Sequence, residues 1–241
     1  MRSFFIALQF LTSIPFKMKN IKAAELPGSV TYYPAVGAIV GAVLASSCLF
    51  FNVFFSQFIS PLLTLGVYIL ITGALHIDGF ADTVDGLYGG RTKKDILRIM
   101  ADSATGAKSV VWVVFIIALK AIILITLPSN RLYPALLLFP VLGRYSITLL
   151  MKYSSYAKEQ GLGKVYCKNV TGVQFLILNV FTVLFLMLFG PLGLVAFIAV
   201  VFVAFIIKTY FENKLGGVTG DVFGFSVEVT EAVALLIFTI K

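Results

Sequence analysis

Long apolar runs are the feature that most constrains this chain. Seven of them approach the roughly 20 apolar residues that a helix needs to cross a bilayer. They are residues 33–55, 61–77, 109–127, 133–151, 173–189, 190–210 and 223–240. Apolar segments of this length predict transmembrane helices, because a helix satisfies its own backbone hydrogen bonds in lipid. We therefore predict an all-α integral membrane protein with about seven transmembrane helices, and a single domain spanning 1–241.

The composition agrees with this class and excludes two others. Hydrophobic residues make up 59% of the chain and charged residues 12%, whereas soluble domains have about 45–50% and about 25%. Disordered chains combine low hydrophobicity with high charge, which is the opposite pattern. The two cysteines, Cys48 and Cys167, provide neither a disulfide framework nor a zinc-ligand spacing.

The N-terminal segment and the basic residues indicate the orientation. The apolar stretch 4–11 is too short to span, and Ile14-Pro15-Phe16 is a poor signal-peptide cleavage context. We therefore predict an interfacial helix lying on the membrane. The net charge is +8, and most of the 19 basic residues fall before the first span and in every second loop. That pattern predicts cytoplasmic loops and a cytoplasmic working surface, and no nucleic-acid partner.

Three aspartates crowd into the segment 76–86. Asp78, Asp82 and Asp85 are spaced i, i+4, i+7, so on a helix they share one face. Like charges at that spacing repel, which calls for protons, basic residues or a divalent cation to neutralise them. Their hard oxygen ligands favour Mg²⁺, Mn²⁺ or Ca²⁺ over zinc, and Asp102 could complete the cluster.

A separate basic block follows the aspartates. One interpretation is a solvated loop in which these bases pair with the acids. The other is a site in which carboxylates hold a cation while the bases hold phosphate oxygens, and the separation of the two blocks favours it. The basic residues concerned are Arg91, Lys93, Lys94 and Arg98.

A second polar segment precedes the last apolar run. Gly216, Gly217, Thr219, Gly220 and Asp221 stand directly before it. The segment is either a phosphate cradle or metal site at a helix N-terminus, or a helix cap with its turn.

Charged residues inside apolar runs suggest a rival class. Glu228 lies inside the last run, and Lys120 and Arg144 are its candidate partners. Intramembrane charges could mark the ion path of a transporter. The densest acids lie at a helix end, however, and the chain has no inverted repeat, which favours an enzyme. The single histidine, His76, is either a structural hydrogen-bonding residue or part of the site.

The residues resemble those of the cobalamin synthase family, also called adenosylcobinamide-GDP ribazoletransferase. The specific blocks are His76-Ile-Asp-Gly-Phe-Ala-Asp-Thr-Val-Asp-Gly86 and Gly216-Gly-Val-Thr-Gly-Asp221. Supporting blocks are residues 8–15, 33–37, 99–103, 143–144, 156–157 and 161–163. One departure is that the family tends to have two glycines after the 102–103 pair, where this chain has only Gly106. The segment 82–102 is also similar to CDP-alcohol phosphotransferases, which is an alternative of similar chemistry.

The resemblance implies a transferase of the prokaryotic cytoplasmic (inner) membrane in vitamin B12 assembly. The family joins adenosylcobinamide-GDP to α-ribazole or its 5′-phosphate, forms adenosylcobalamin or its 5′-phosphate, and releases GMP. Mg²⁺ is the expected cofactor. Further partners to consider are a second copy of this chain, in a homo-oligomer, and other corrinoid-pathway enzymes.

The resemblance and the residue chemistry together assign roles. The predicted metal ligands are Asp78, Asp82, Asp85, Asp102 and Asp221. The predicted catalytic residues are Asp82, Asp85 and His76. The predicted phosphate and substrate ligands are Arg91, Lys93, Lys94, Arg98, Arg144, Gly217, Thr219 and Gly220. Whether a carboxylate or His76 takes the proton from the ribose hydroxyl is left open.

Overall fold

Helices joined by short loops form the structure, a computed structural model that describes residues 1–16, 18–167 and 169–240. The helices of these residues are α1 (Arg2–Leu11), α2 (Leu26–Ser29), α3 (Tyr33–Phe54), α4 (Ile59–Thr72), α5 (Leu75–Gly89), α6 (Lys93–Ile99), α7 (Ala107–Thr126), α8 (Ser129–Tyr153), α9 (Leu162–Tyr166), α10 (Gly172–Leu186), α11 (Gly190–Leu215) and α12 (Gly220–Ile237). No β-strand occurs in these ranges, so the predicted all-α class is confirmed. Three bases counted for the orientation, Lys17, Lys168 and Lys241, lie outside the described residues.

Helix α8 is the centre of the bundle. Most of its residues from Leu132 to Met151 are buried, and α3 packs along it with the two backbones almost in contact. A methyl group on Gly37 would lie 2.6 Å from the carbonyl oxygen of Pro140. A methyl group on Gly41 would overlap the carbonyl oxygen of Leu137. Small residues permit this approach in membrane helices, where close packing replaces the hydrophobic effect.

Helices α4 and α5 meet at a sharp bend of 85°. Gly73 and Ala74 both adopt left-handed backbone conformations, with φ of 59° and 55°. The amides of both residues bond back to carbonyls of the last turn of α4, which ends that helix. The predicted second span, 61–77, is therefore not one straight helix: it stops at Thr72, and its last residues belong to α5.

Helices α10 and α11 fold back on each other at Gly190. The ring of Tyr153 lies 5.5 Å from that of Phe175 and 5.8 Å from that of Phe205, centroid to centroid. These two phenylalanines stand at equal sequence distance before and after Gly190, whose φ is 59°. Two residues equally far from a turn can both contact the ring of Tyr153 only if their helices run back alongside each other.

Helix length and composition do not confirm the predicted number of membrane crossings. By length and composition, four helical segments of the described residues could cross a membrane, or five if the bent pair α4–α5 counts as one. The four are Ala23–Phe54, Ala107–Thr126, Ser129–Tyr153 and Gly172–Leu215. The count of seven spans is therefore not confirmed. The count is lower than seven because α12 carries three acids, and because α10 and α11 follow each other without a gap and count as one segment, although the chain reverses at Gly190.

Replacing Gly41 with alanine should destabilise the bundle, because the new methyl group can fit only if α3 moves away from α8. We expect a loss of about 1–3 kcal/mol in unfolding free energy, the usual cost of overpacking. Thermal unfolding in detergent measures it. Gly66→Ala is the matched control, since nothing lies within 4 Å of that methyl position. Equal melting temperatures for the two variants would contradict the close α3–α8 contact.

Candidate active site

The aspartate face of α5 meets the start of α12. The two helices touch through glycines on both sides. A methyl group on Gly79 would lie 2.8 Å from the carbonyl oxygen of Asp221, and one on Gly224 would lie 2.8 Å from that of His76. Because no side chain separates the two backbones, this contact brings the two family motifs to one place.

The segment before α12 is held by backbone contacts to residues 155–157. The amide of Val218 donates to the carbonyl of Ser155, and the amide of Ala157 donates to that of Val218, both at 2.8 Å. Gly217, with φ of 155°, lies directly against Ser155. The side chain of Thr219 accepts a hydrogen bond from the amide of Val222, so Thr219 caps α12, while phosphate or metal binding by this segment stays a prediction.

Negative charge exceeds positive charge where the motifs meet. The half-buried carboxylate of Asp82 is repelled by those of Asp78, Asp221 and Asp85. Lys158 is the cation that opposes them, and its ammonium group lies 3.1 Å from Asp221. Such repulsion between partly desolvated carboxylates is relieved by a cation.

The donors fit Mg²⁺ in kind. Within the described residues, no three acidic, histidine or cysteine side chains converge closely enough to hold a metal by themselves. Mg²⁺ usually binds through one or two carboxylates, with water and substrate phosphate oxygens completing its octahedron. The exposed Asp78 and the half-buried Asp82 and Asp221 match that mode.

Two predicted metal ligands have other contacts. Asp85 accepts hydrogen bonds from the amide of Gly106 at 2.7 Å and from the hydroxyl of Ser109 at 2.8 Å. Asp85 thereby holds the loop before α7. The carboxylate lies directly against the backbone of Gly106, the single glycine at the point where two were expected. Asp102 is exposed and accepts from the amide of Ala104 in its own turn. Metal binding by these two stays a prediction.

A cleft of about 290 Å³ opens beside the paired motifs. Asp78 and Asp221 both line it, and its other walls come from α1, α8, α9 and the first turn of α12. Tyr156, which follows α8, lies on the edge against Gly161 and Gly163. Burial and the Asp221 carboxylate raise the pKa of Tyr156, so its hydroxyl stays a hydrogen-bond donor.

The basic block lies on the surface next to this cleft. Its four bases are exposed, and the described residues show no salt bridge from them to the aspartates of α5. A methyl group on Gly216 would lie 3.3 Å from the ammonium group of Lys93, which shares a shallow depression with Lys94 and Lys158. The bases are thus available to a phosphate. Thr92 caps the N-terminus of α6, and its hydrogen bonds to Asp95 lower the pKa of that carboxyl group.

Charged residues are also paired in the interior. Lys120 of α7 lies 2.7 Å from both Glu228 and Glu231 of α12. Arg144 of α8 pairs with Glu231, which also accepts from the hydroxyl of Tyr68 at 2.7 Å. The partners predicted for Glu228 are partly confirmed: it contacts Lys120 directly, whereas the ion pair of Arg144 is with Glu231. Spacing alone does not reveal the roles of Glu231 and Tyr68.

His76 lies between this buried network and the cleft. Its ring is 4% exposed, lines the cleft, and feels the charges of Arg144 and Lys120. Neither ring nitrogen has a hydrogen-bond partner among the described residues. Arg144 is fully buried, so the predicted phosphate contact of this residue is not visible in the structure.

Comparison with known proteins identifies the family. The family profile of cobalamin-5-phosphate synthase matches residues 3–239. The chain belongs to the cobalamin-5-phosphate synthase family. A relative from Alkaliphilus metalliredigens, named adenosylcobinamide-GDP ribazoletransferase, is 34% identical over 236 residues, covering 98% of this chain and 94% of the relative.

Relatives with the same name come from distant bacteria. The protein from Clostridium acetobutylicum is 34% identical over 98% of this chain and 94% of its own length. The one from Acinetobacter baumannii is 33% identical over 100% of this chain and 98% of its own. No solved structure matches the chain. Membership in the cobalamin-5-phosphate synthase family confirms the resemblance and makes the protein a membrane enzyme of cobalamin synthesis.

Removing the ammonium group of Lys120 should destabilise the protein strongly, because two buried carboxylates would share one remaining cation. We expect Lys120→Met to cost about 3–5 kcal/mol, the usual effect of breaking a buried ion pair. Detergent-solubilised protein is followed by thermal unfolding, with the exposed Lys108→Met as control. The double variant Lys120→Met/Glu228→Gln should recover part of the loss. A single variant as stable as its control would rule out the pairing.

Proposed function

We propose that this chain transfers the adenosylcobinamide phosphate group from adenosylcobinamide-GDP to α-ribazole or α-ribazole 5′-phosphate, releasing GMP. The observation that carries the proposal is the cleft lined by Asp78 of one family motif and Asp221 of the other. Lys158 and Lys93 lie beside it. Carboxylates next to lysines suit a reaction in which a nucleotide pyrophosphate is cleaved.

In the proposed reaction one phosphorus–oxygen bond is exchanged for another. A ribose hydroxyl oxygen attacks the phosphorus attached to cobinamide, the bond to the GMP oxygen breaks, and the hydroxyl proton leaves to a base. Lys93, Lys94 and Lys158 hold the phosphate oxygens, and the cap of α12 directs backbone amides toward them. Holding both substrates in line supplies most of the acceleration in phosphoryl transfer.

Asp78, Asp82 and Asp221 would hold Mg²⁺ in this proposal. When bound, the ion would neutralise pyrophosphate charge and stabilise the departing GMP. Either a carboxylate of α5 or His76 accepts the hydroxyl proton. Asp78 of α5 and His76 both line the cleft.

The proposed location is a prokaryotic cytoplasmic membrane with the site facing the cytoplasm, as the basic loops indicate. Neither alternative class has comparable support. Against a transporter, the interior charges are paired rather than lining a path. Against a CDP-alcohol phosphotransferase, Asp102 and Asp85 are both engaged with the loop before α7 rather than with each other.

Asp82→Asn and Asp221→Asn should each slow GMP release from adenosylcobinamide-GDP by at least about 100-fold, because each removes a negative oxygen ligand of the proposed ion. Purified protein is assayed with α-ribazole and Mg²⁺. Glu25→Gln is the control, since Glu25 pairs with Arg2 at the start of α1 and neither residue lines the cleft. Near-normal turnover in both aspartate variants would remove the metal-site assignment.

Chelation tests the ion separately. EDTA should abolish turnover of the unmodified protein, and Mg²⁺ added in excess should restore it, because the repelling carboxylates around Asp82 need a cation. Calorimetry with Mg²⁺ and GMP measures ion binding without turnover. Full activity in the presence of EDTA would contradict the proposal, whatever the aspartate variants do.

A further inference from the structure

We infer that the cleft beside α5 and α12 is the subsite for the aromatic base of the acceptor nucleoside, α-ribazole. The donor, with its corrinoid and its guanine, then lies outside, across the basic surface. This inference rests on the proposed function and adds which of the two substrates occupies the interior of the site.

Size limits the occupant. A volume of about 290 Å³ is at the lower end for small-molecule sites. It accommodates a bicyclic heteroaromatic base with part of its ribose. A corrin macrocycle with its side chains is several times larger and does not fit. The two remaining candidates are therefore the benzimidazole base of α-ribazole and the guanine base of the donor, which are similar in size.

The walls favour the less polar of these two bases. Ile147 and Met151 of α8 and Phe223 of α12 line the interior, and all three are buried. Phe10 and Tyr166 form an aromatic side, with their ring centroids 5.9 Å apart. An apolar and aromatic surface of this kind packs well against a flat ring with methyl groups.

Hydrogen bonding points the same way. His76 is a buried polar side chain of the cleft, and neither of its ring nitrogens has a protein partner among the described residues. Dimethylbenzimidazole in a nucleoside has one free ring nitrogen, which a single imidazole N–H can satisfy. Guanine has several donors and acceptors on its edge, and those facing Ile147, Met151 and Phe223 would be left unpaired, at a cost of about 1–3 kcal/mol each.

The cleft also places the ribose correctly. Asp78 and Asp221 line the same cleft as the apolar walls. A nucleoside with its base inside has its ribose hydroxyls near these carboxylates and near Lys158, which contacts Asp221. The attacking hydroxyl thereby meets the phosphate at the edge of the cleft, where the proposed reaction requires it.

The test is a cleft-filling substitution with steady-state kinetics for each substrate. Ile147→Phe places a larger ring in the cleft, and Ile198→Phe is the same change at a 58% exposed position on α11. We expect Ile147→Phe to raise the KM for α-ribazole at least tenfold, with the KM for adenosylcobinamide-GDP within twofold of normal. The control should change neither value. A ribonucleoside of unmethylated benzimidazole should lose less affinity, since its base is smaller.

A second variant and a binding measurement keep the test decisive if Ile147→Phe folds poorly. Ile147→Ala enlarges the cleft, and we expect it to weaken α-ribazole binding severalfold in calorimetry without the donor. A raised KM for adenosylcobinamide-GDP alone would place guanine in the cleft and overturn the inference. Unchanged KM values would place the base elsewhere. If the unmodified protein releases no GMP with both substrates present, the proposed function itself fails.

Discussion

The contact between α5 and α12 is the constraint on which the site depends. Gly79 and Gly224 let two backbones approach where any side chain would separate them. The aspartates of α5 and Asp221 of α12 come from segments more than 130 residues apart, and each segment alone is only a polar helix end. Their proximity creates the charge excess around Asp82. Lys158 opposes this repulsion at the site itself.

A buried ion network ties α12 to its neighbouring helices. It joins α4, α7 and α8 to α12 through Tyr68, Lys120 and Arg144, and it pairs two cations with two anions. Charges in a low-dielectric interior are tolerated only when paired in this way. Glu228 is seven residues after Asp221, about two helical turns along the same helix. Ion pairs that hold α12 at Glu228 and Glu231 therefore also fix the position of Asp221 along the helix axis, and so its place in the cleft.

Local patterns predicted much of this fold and part of the site. Apolar run length predicted the helices, and the spacing of the α5 aspartates predicted their common face. The break after Thr72 had only one signal, Gly73, because Ala74 has no preference for its left-handed conformation. The role of Asp85 in holding Gly106, and the pairing of Arg144 with Glu231, depend on helix packing. No spacing within one segment encodes such contacts, so the sequence alone could not assign them.

The pairing of Lys158 with Asp221 has a consequence for how the site accepts charge. Each group is partly exposed, with side chains 28% and 22% accessible, so neither is locked in the interior. Under the proposed function, a substrate phosphate and a divalent ion that bind together would exchange with this pair, the lysine going to the phosphate and the carboxylate to the ion. Both protein charges would then keep a partner of opposite sign. Either ligand binding alone would leave one protein charge unpaired, so the proposed function implies joint binding of the ion and the pyrophosphate.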